Sequence, residues 1–211
     1  PVTPERLVVA IRKATIDLTL VPILCGSALR NKGIQPLLDA IVEFLPSPLD
    51  VPPIKGVHPE TGQVVECKPN SSDPLAALIF KVSMIEGRKL SYVRIYSGTM
   101  NAKSDTYNPS RKINEKLSRI LKIHANKRER IDSAGAGSLV GVIGLKESST
   151  GETLCSIDHP VLLENIDFYE PVISVAVEPK THADQEKLDQ VLEKFMAEDP
   201  TLKLQKDEDT G

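Results

Sequence analysis

Gly26-Ser27-Ala28-Leu29 stands between an apolar run, Leu20 to Cys25, and an amphipathic pattern that begins at Ile34. A loop of small residues between a strand and a helix can offer backbone N–H groups to a ligand and let a flat base come close. A plain turn is the simpler use of the same residues. The second chemical signal is charge: residues 111–130 hold eight bases (Arg111, Lys112, Lys116, Arg119, Lys122, Lys127, Arg128, Arg130) and two acids (Glu115, Glu129). Lys and Arg at this density suit salt-sensitive contact with a phosphate backbone. The run contains no aromatic residue on which bases could stack, which argues against base-specific reading. A solvated strand face is the bland alternative.

Other chemistries are missing from the sequence. No GxxxxGK[ST] segment is present, so no phosphate cradle of the nucleoside-triphosphatase type can form. Asp132-Ser133-Ala134-Gly135 and Asn126-Lys127-Arg128-Glu129 imitate nucleotide-binding motifs by letters alone, in reverse order and without strand-loop-helix context. Cys25, Cys67 and Cys155 are widely spaced and odd in number, which suggests free thiols in a reducing cytosol rather than a zinc site or disulfide framework. His58, His124, His159 and His182 are equally scattered. No hydrolase triad or carboxylate pair emerges, and no metal ligand set.

The elements that would position these residues follow from periodicity. Leu7, Ala10, Ile11 and Ala14 lie at helical spacing, and Leu20 to Cys25 reads as a strand. Ile34, Leu37, Leu38, Ile41 and Leu45 line one face of a second helix, with Asn31 as N-cap, Pro36 in its first turn and Pro46-Ser47-Pro48 ending it. From Leu49 the period shortens. Runs at 51–57 and 63–67 flank a turn at His58 to Gly62, and strand-length runs follow at 76–82, 90–96, 106–108, 117–124, 139–143 and 153–155. Short strands at this spacing predict a closed barrel or sandwich of about 100 residues. Val172 to Val177 reads as a strand, Leu188 to Met196 as a helix capped by Thr181 with Asp184 as a weak capping box, and Thr201 to Gln205 as a strand. Strand-helix-strand is the start of a ferredoxin-like unit. Residues 184–211 hold nine acids and four bases, so the net charge of −3 hides two opposed regions. No apolar run reaches the roughly 20 residues needed to cross a bilayer, and no signal peptide opens the chain. Pro1 and the Asp207-Glu208-Asp209-Thr210-Gly211 end read as cut ends.

The order of these pieces carries a resemblance. Leu24 to Ala40 with Leu45-Pro46-Ser47-Pro48 closely resembles the end of the nucleotide domain in the elongation factor G family of translational GTPases. Arg94 to Thr99, His124 to Glu129, Gly144-Leu145-Lys146 and Thr150 to Leu154 resemble that family's second domain. Glu170 to Lys180, Ala183 to Lys187 and Glu198-Asp199-Pro200 resemble the entry to its third.

The resemblance implies a mainly β chain. Residues 1–48 would be the α/β remnant of a P-loop GTPase domain, 49–168 a translation-factor β-barrel, and 169–211 the start of a ferredoxin-like domain. It implies Ser27, Ala28 and Leu29 as the last guanine-recognition loop, with the Ala28 N–H facing the base oxygen, in a full-length parent that binds GTP or GDP with Mg2+. It also implies docking on small-subunit rRNA of the ribosome, with Arg94, Lys112, Arg119, Lys127, Arg128 and Arg130 as contacts. The parent would be a cytoplasmic, monomeric factor that moves tRNA and mRNA during protein synthesis. The piece itself would dock and couple domains, touching its own nucleotide and C-terminal domains, but would hydrolyse no GTP and bind no membrane. The connection Met84 to Leu90 is shorter than is usual in the family, and Ala136-Gly137-Ser138-Leu139 replaces a commoner Ala-Gly-Asp-Ile, which suggests a divergent paralogue. A ribosome-recycling, release-factor or ribosome-protection GTPase, or a free-standing nucleic-acid-binding barrel, are the alternatives.

Overall fold

The structure is a computed structural model that describes residues 2–205 apart from 86, 165, 167 and 180. The chain divides into two compact units, Pro1–Pro52 and Pro53–Gly211.

In the first unit, helix α1 (Pro4–Ile16) is opened by the Thr3 hydroxyl, which accepts the Arg6 N–H, with proline in the first turn. Helix α2 (Ile34–Phe44) packs against it. Arg12 of α1 reaches the end of α2, donating to the Glu43 carbonyl at 2.8 Å and pairing with Asp50 at 2.7 Å. A guanidinium there neutralises carbonyls that the helix leaves without partners. The predicted strand at Leu20 to Cys25 does not form. The segment has no ladder partner among the described residues, and Val21 and Ile23 are exposed. The predicted N-cap is also displaced: Gly33, at φ 77°, caps α2, while Asn31 closes the preceding turn in the left-handed conformation.

The second unit begins with β1 (Ile54–Val57) and β2 (Val64–Cys67), then β3 (Ala76–Ile85) and β4 (Arg88–Ser97). Next come β5 (Thr99–Asn101), β6 (Asp105–Asn108), β7 (Ile113–Lys116), β8 (Arg119–His124) and β9 (Lys127–Ile131). It finishes with β10 (Ser133–Gly135), β11 (Leu139–Ile143), β12 (Thr153–Cys155), β13 (Leu162–Leu163) and helix α3 (His182–Glu198). An eight-stranded antiparallel sheet runs β7-β6-β12-β3-β4-β11-β8-β9, with side sheets β13-β1-β2 and β10-β5. The large sheet rolls round one core: Ile79, Val93, Ile95, Leu117, Ile120, Val142 and Leu154 are fully buried in it, and the Ser118 N–H near one sheet end bonds the Ile143 carbonyl at 2.9 Å. A second cluster gathers Cys67, Ala76, Leu78, Cys155, Val161 and Leu163. Burial pushes both of these thiols up in pKa, so they remain protonated packing groups.

The long hairpin explains the short connection at Met84 to Leu90: β3 runs on to Ile85 and β4 starts at Arg88, with Gly87 at φ 74° in the turn. Strands β5, β7, β9, β10 and β13 do not show as apolar runs, because they are short or carry charge on their exposed face. The predicted run at 117–124 starts two residues later, since Leu117 leaves β7 to enter the core.

Beyond the barrel, α3 forms as expected. Thr181 accepts the Asp184 N–H at 3.2 Å and donates its hydroxyl to the Asp184 carboxylate, so the box is closed through side chains rather than through the Thr181 amide. The strands predicted at 172–177 and 201–205 do not form: neither segment has a ladder partner among the described residues, Thr201 lies in a turn, and Val172, Ile173 and Val175 are exposed. No described helix is long and apolar enough to cross a membrane.

Candidate functional site

The loop that follows the unpaired segment is shaped by its main chain. Ser27 and Lys32 form a bridge, with the Ser27 N–H on the Lys32 carbonyl at 2.9 Å and the Lys32 N–H returning to the Ser27 carbonyl at 3.1 Å. Ala28–Arg30 make one 3-10 turn between them. The amides of Ala28 and Leu29 open this turn, so no carbonyl inside it can receive them. The noose is closed by two glycines. A Cβ on Gly26 would lie 2.9 Å from the Lys32 carbonyl oxygen, and one on Gly33 would lie 2.9 Å from that of Cys25. Sequence reasoning singled out Gly26 and placed the N-cap at Asn31, leaving Gly33 without a role of its own. Its position before an amphipathic run was the available signal for a left-handed N-cap.

The basic run separates into groups with different work. Successive residues of a strand face opposite sides, so the register assigns each base to a face. On β8 and β9 the pairs Leu121↔Arg130 and Ile123↔Arg128 share a face with Arg119, whose partner on β11 is Ile143. The same face continues through Leu139 to Arg94 on β4. Thus Arg94, Arg119, Arg128 and Arg130 stand on the outer face of one sheet, across β4, β8 and β9 with β11 between them. Arg119, Arg128 and Arg130 are exposed, and Arg94 is half-buried. Lys127 pairs with His124 at the hairpin tip on the opposite face, alongside Lys122↔Glu129. Lys112 belongs to another hairpin, at the end of the β6–β7 turn, in the left-handed conformation at φ 58°.

The outer face also carries aromatics that the charge run itself lacks. The Arg94 guanidinium lies 5.2 Å from the Tyr96 ring centre, and Lys81 lies 5.8 Å from that of Tyr92. Phe80 is tilted against Tyr92 at 6.2 Å. Such cation–π contacts orient a cation without consuming its hydrogen-bond donors. The Arg94 Nε is buried without a hydrogen-bond partner among the described residues. These rings come from β3 and β4, earlier in the sequence, and join the basic face only through the β4–β11–β8 ladder. A reading of the charge run by itself therefore misses them.

One of the two acids in the run does not face solvent. Glu115 is buried, and its carboxylate accepts the Glu147 N–H at 2.7 Å, the Ser148 N–H at 3.1 Å and the Ser148 hydroxyl. Glu129 is left as the one exposed acid of the run. Arg111 stays exposed but is tied to the barrel, with its Nε on Glu152 at 2.7 Å and a terminal nitrogen on the Ser149 hydroxyl at 3.1 Å. Among the described residues no group of His, Cys, Asp and Glu could hold a metal ion.

Comparison with known proteins places the chain in a family. The family description "Elongation factor G domain 2" matches residues 74–157, and "Elongation Factor G, domain III" matches residues 168–211. The chain is 57% identical over 210 residues to a protein named Elongation factor G 2 from Syntrophus aciditrophicus (strain SB). All of this chain is covered, against 31% of that relative. A crystal structure of a protein from Thermus thermophilus superposes with a TM-score of 0.75 at 27% identity, covering 100% of this chain and 29% of that one.

Proposed function

The chain belongs to the elongation factor G family, and from that premise we propose that it is the ribosome-docking and domain-coupling part of a GTP-dependent factor that moves tRNA and mRNA in protein synthesis. It spans 31% of the curated relative it matches, so the activity of the whole factor is part of the proposal. The division proposed is 1–48 for the end of a nucleotide domain, 49–168 for the docking barrel and 169–211 for the entry to a third domain. Ser27, Ala28 and Leu29 are assigned to guanine in the longer factor, with the Ala28 amide as donor. The triphosphate and its Mg2+ are assigned to residues outside this chain, because nothing here has the phosphate-cradle sequence.

The observation that carries the docking reading is the outward row of Arg94, Arg119, Arg128 and Arg130 on neighbouring strands of one sheet. Cations fixed on a rigid sheet suit the phosphate backbone of folded RNA, whose shape and charge are read more than its sequence. Small-subunit rRNA is the partner, in the cytoplasm, with Lys112 and Lys127 as flanking contacts and the factor acting as a monomer. The short β3–β4 connection supports a divergent paralogue, for which ribosome recycling is the second reading.

The test is binding of the chain to purified bacterial small ribosomal subunits across a KCl series. Lys127→Glu with Arg128→Glu is expected to weaken binding at least tenfold and to flatten the salt dependence. Unchanged affinity and slope would refute the docking face.

A further inference from the structure

Two loops meet at one end of the barrel, and side chains stitch them together. The β6–β7 turn, residues 109–112, follows Asn108, which is fully buried. The Asn108 side-chain oxygen accepts the Ser110 N–H at 3.0 Å and the Arg111 N–H at 3.2 Å. Its amide nitrogen donates to the Ser148 hydroxyl at 2.8 Å and to one Glu152 oxygen at 2.7 Å. Both ends of the amide are thus satisfied, which fixes its orientation. The same Glu152 oxygen accepts the Ser149 N–H at 2.9 Å, and its other oxygen holds Arg111. Glu115 then takes two backbone amides of the second loop, and the Lys89 ammonium caps the Lys146 carbonyl at 3.0 Å.

A surface turn that only closes a hairpin needs none of this. Asn108, Glu115 and Ser148 are buried with their partners in place, which specifies one arrangement, although the Thr150 hydroxyl of the same loop is buried without a partner among the described residues. Here the arrangement they specify ends in Lys112, exposed and held in a backbone region that non-glycine residues seldom adopt. Arg111, its neighbour, is exposed, but its guanidinium is engaged by Glu152 and Ser149.

We propose that Glu152 is a positioning residue: by gripping Arg111 and Asn108 it fixes the β6–β7 turn so that Lys112 is presented to an RNA phosphate. This rests on the docking reading above and deepens it, converting one base of the run into a structural clamp and the next into a placed contact. The effect of Glu152 on binding therefore passes through Lys112.

A double-mutant cycle tests it, using the full 211-residue chain and purified small ribosomal subunits across a KCl series. Lys112→Ala is expected to weaken binding several-fold and to lower the salt slope by about 0.7–0.9, the value of one phosphate contact. Glu152→Ala should do the same, and the double variant should lose no more than either single one. Amide exchange at Ser110 and Arg111 should speed up at least tenfold in Glu152→Ala. Glu152→Gln carries the same comparison with a smaller loss if the alanine variant does not fold, because the amide keeps an acceptor for Asn108 but loses the ion pair. Losses that simply add, or unchanged exchange at Ser110 and Arg111, would overturn the positioning role. No effect from Lys112→Ala alone would instead overturn the docking reading of this turn.

Discussion

The barrel and its flanks use apolar residues in opposite ways. In the barrel, Ile79, Val93, Ile95, Ile120, Val142 and Leu154 are wholly withdrawn from water. In the helical unit only Ala40 is buried among the described residues, while Leu18, Val21, Ile23 and Leu29 face solvent. The exposed segment Val172 to Val177 repeats that pattern at the other flank. Local propensity forms α1, α2 and α3 with their caps in both settings, but strands form only where a ladder partner exists in the chain. Helices satisfy their own backbone and can stand nearly alone; strands cannot.

This contrast can be broken by substitution. The largest effect belongs to the barrel core: Leu154→Ala is expected to cost about 2–5 kcal/mol, since a closed core relaxes little around a cavity. Ile41→Ala in α2, 45% exposed, should cost less than about 1 kcal/mol. Denaturant melts of the two variants decide the matter, and equal losses would abolish the distinction. A smaller barrel effect is expected at Gly144, at φ 124°, where a Cβ would lie 2.4 Å from the Lys116 carbonyl oxygen. Gly144→Ala should destabilise by more than about 1 kcal/mol, and a thermal melt matching the parent would show the turn to be pliable.

The smallest effect sharpens the picture of the helical flank. Asp50 is held below the usual carboxylate range, first by the Ser47 N–H, then by the Ser47 hydroxyl and the Arg12 guanidinium. A lowered folded-state pKa means that its stabilisation is complete above the ordinary Asp value and is lost as pH falls through the lowered one. Order at the end of α2 should therefore weaken on acidification, and Asp50→Asn should flatten that dependence. Amide exchange at residues 45–50 between about pH 6 and about pH 3 reads this directly, and an equally steep profile in the variant would assign the transition to another group.

The legible part of the molecule was its repeating part. The β3 and β4 runs, the helical faces and the cap at Thr181 follow from spacing and residue type, because each is decided within a few residues. The outer arginine row was half visible. Its members could be named as basic, but their common face depends on ladders joining residues 94, 119, 128 and 139. Tyr92 and Tyr96 could not be added to the run for the same reason. Asn108 and Glu152 were the least accessible: as letters they look like a turn residue and a surface acid, and only the folded contact between residues 108–115 and 147–152 makes them a buried knot. Leu20 to Cys25 was misread for the converse reason, since its apolar run records a face that wants a neighbour and pairing needs the neighbour itself.

The bare contact between positions 26 and 33 has an evolutionary consequence. Where main chain rests directly on main chain, no side chain can be traded for another of similar size, so drift at these two sites has almost no room. The positions enclosed between them carry no such burden, apart from the left-handed twist at 31. Lineages should thus vary the contents of the ring while leaving its clasp untouched.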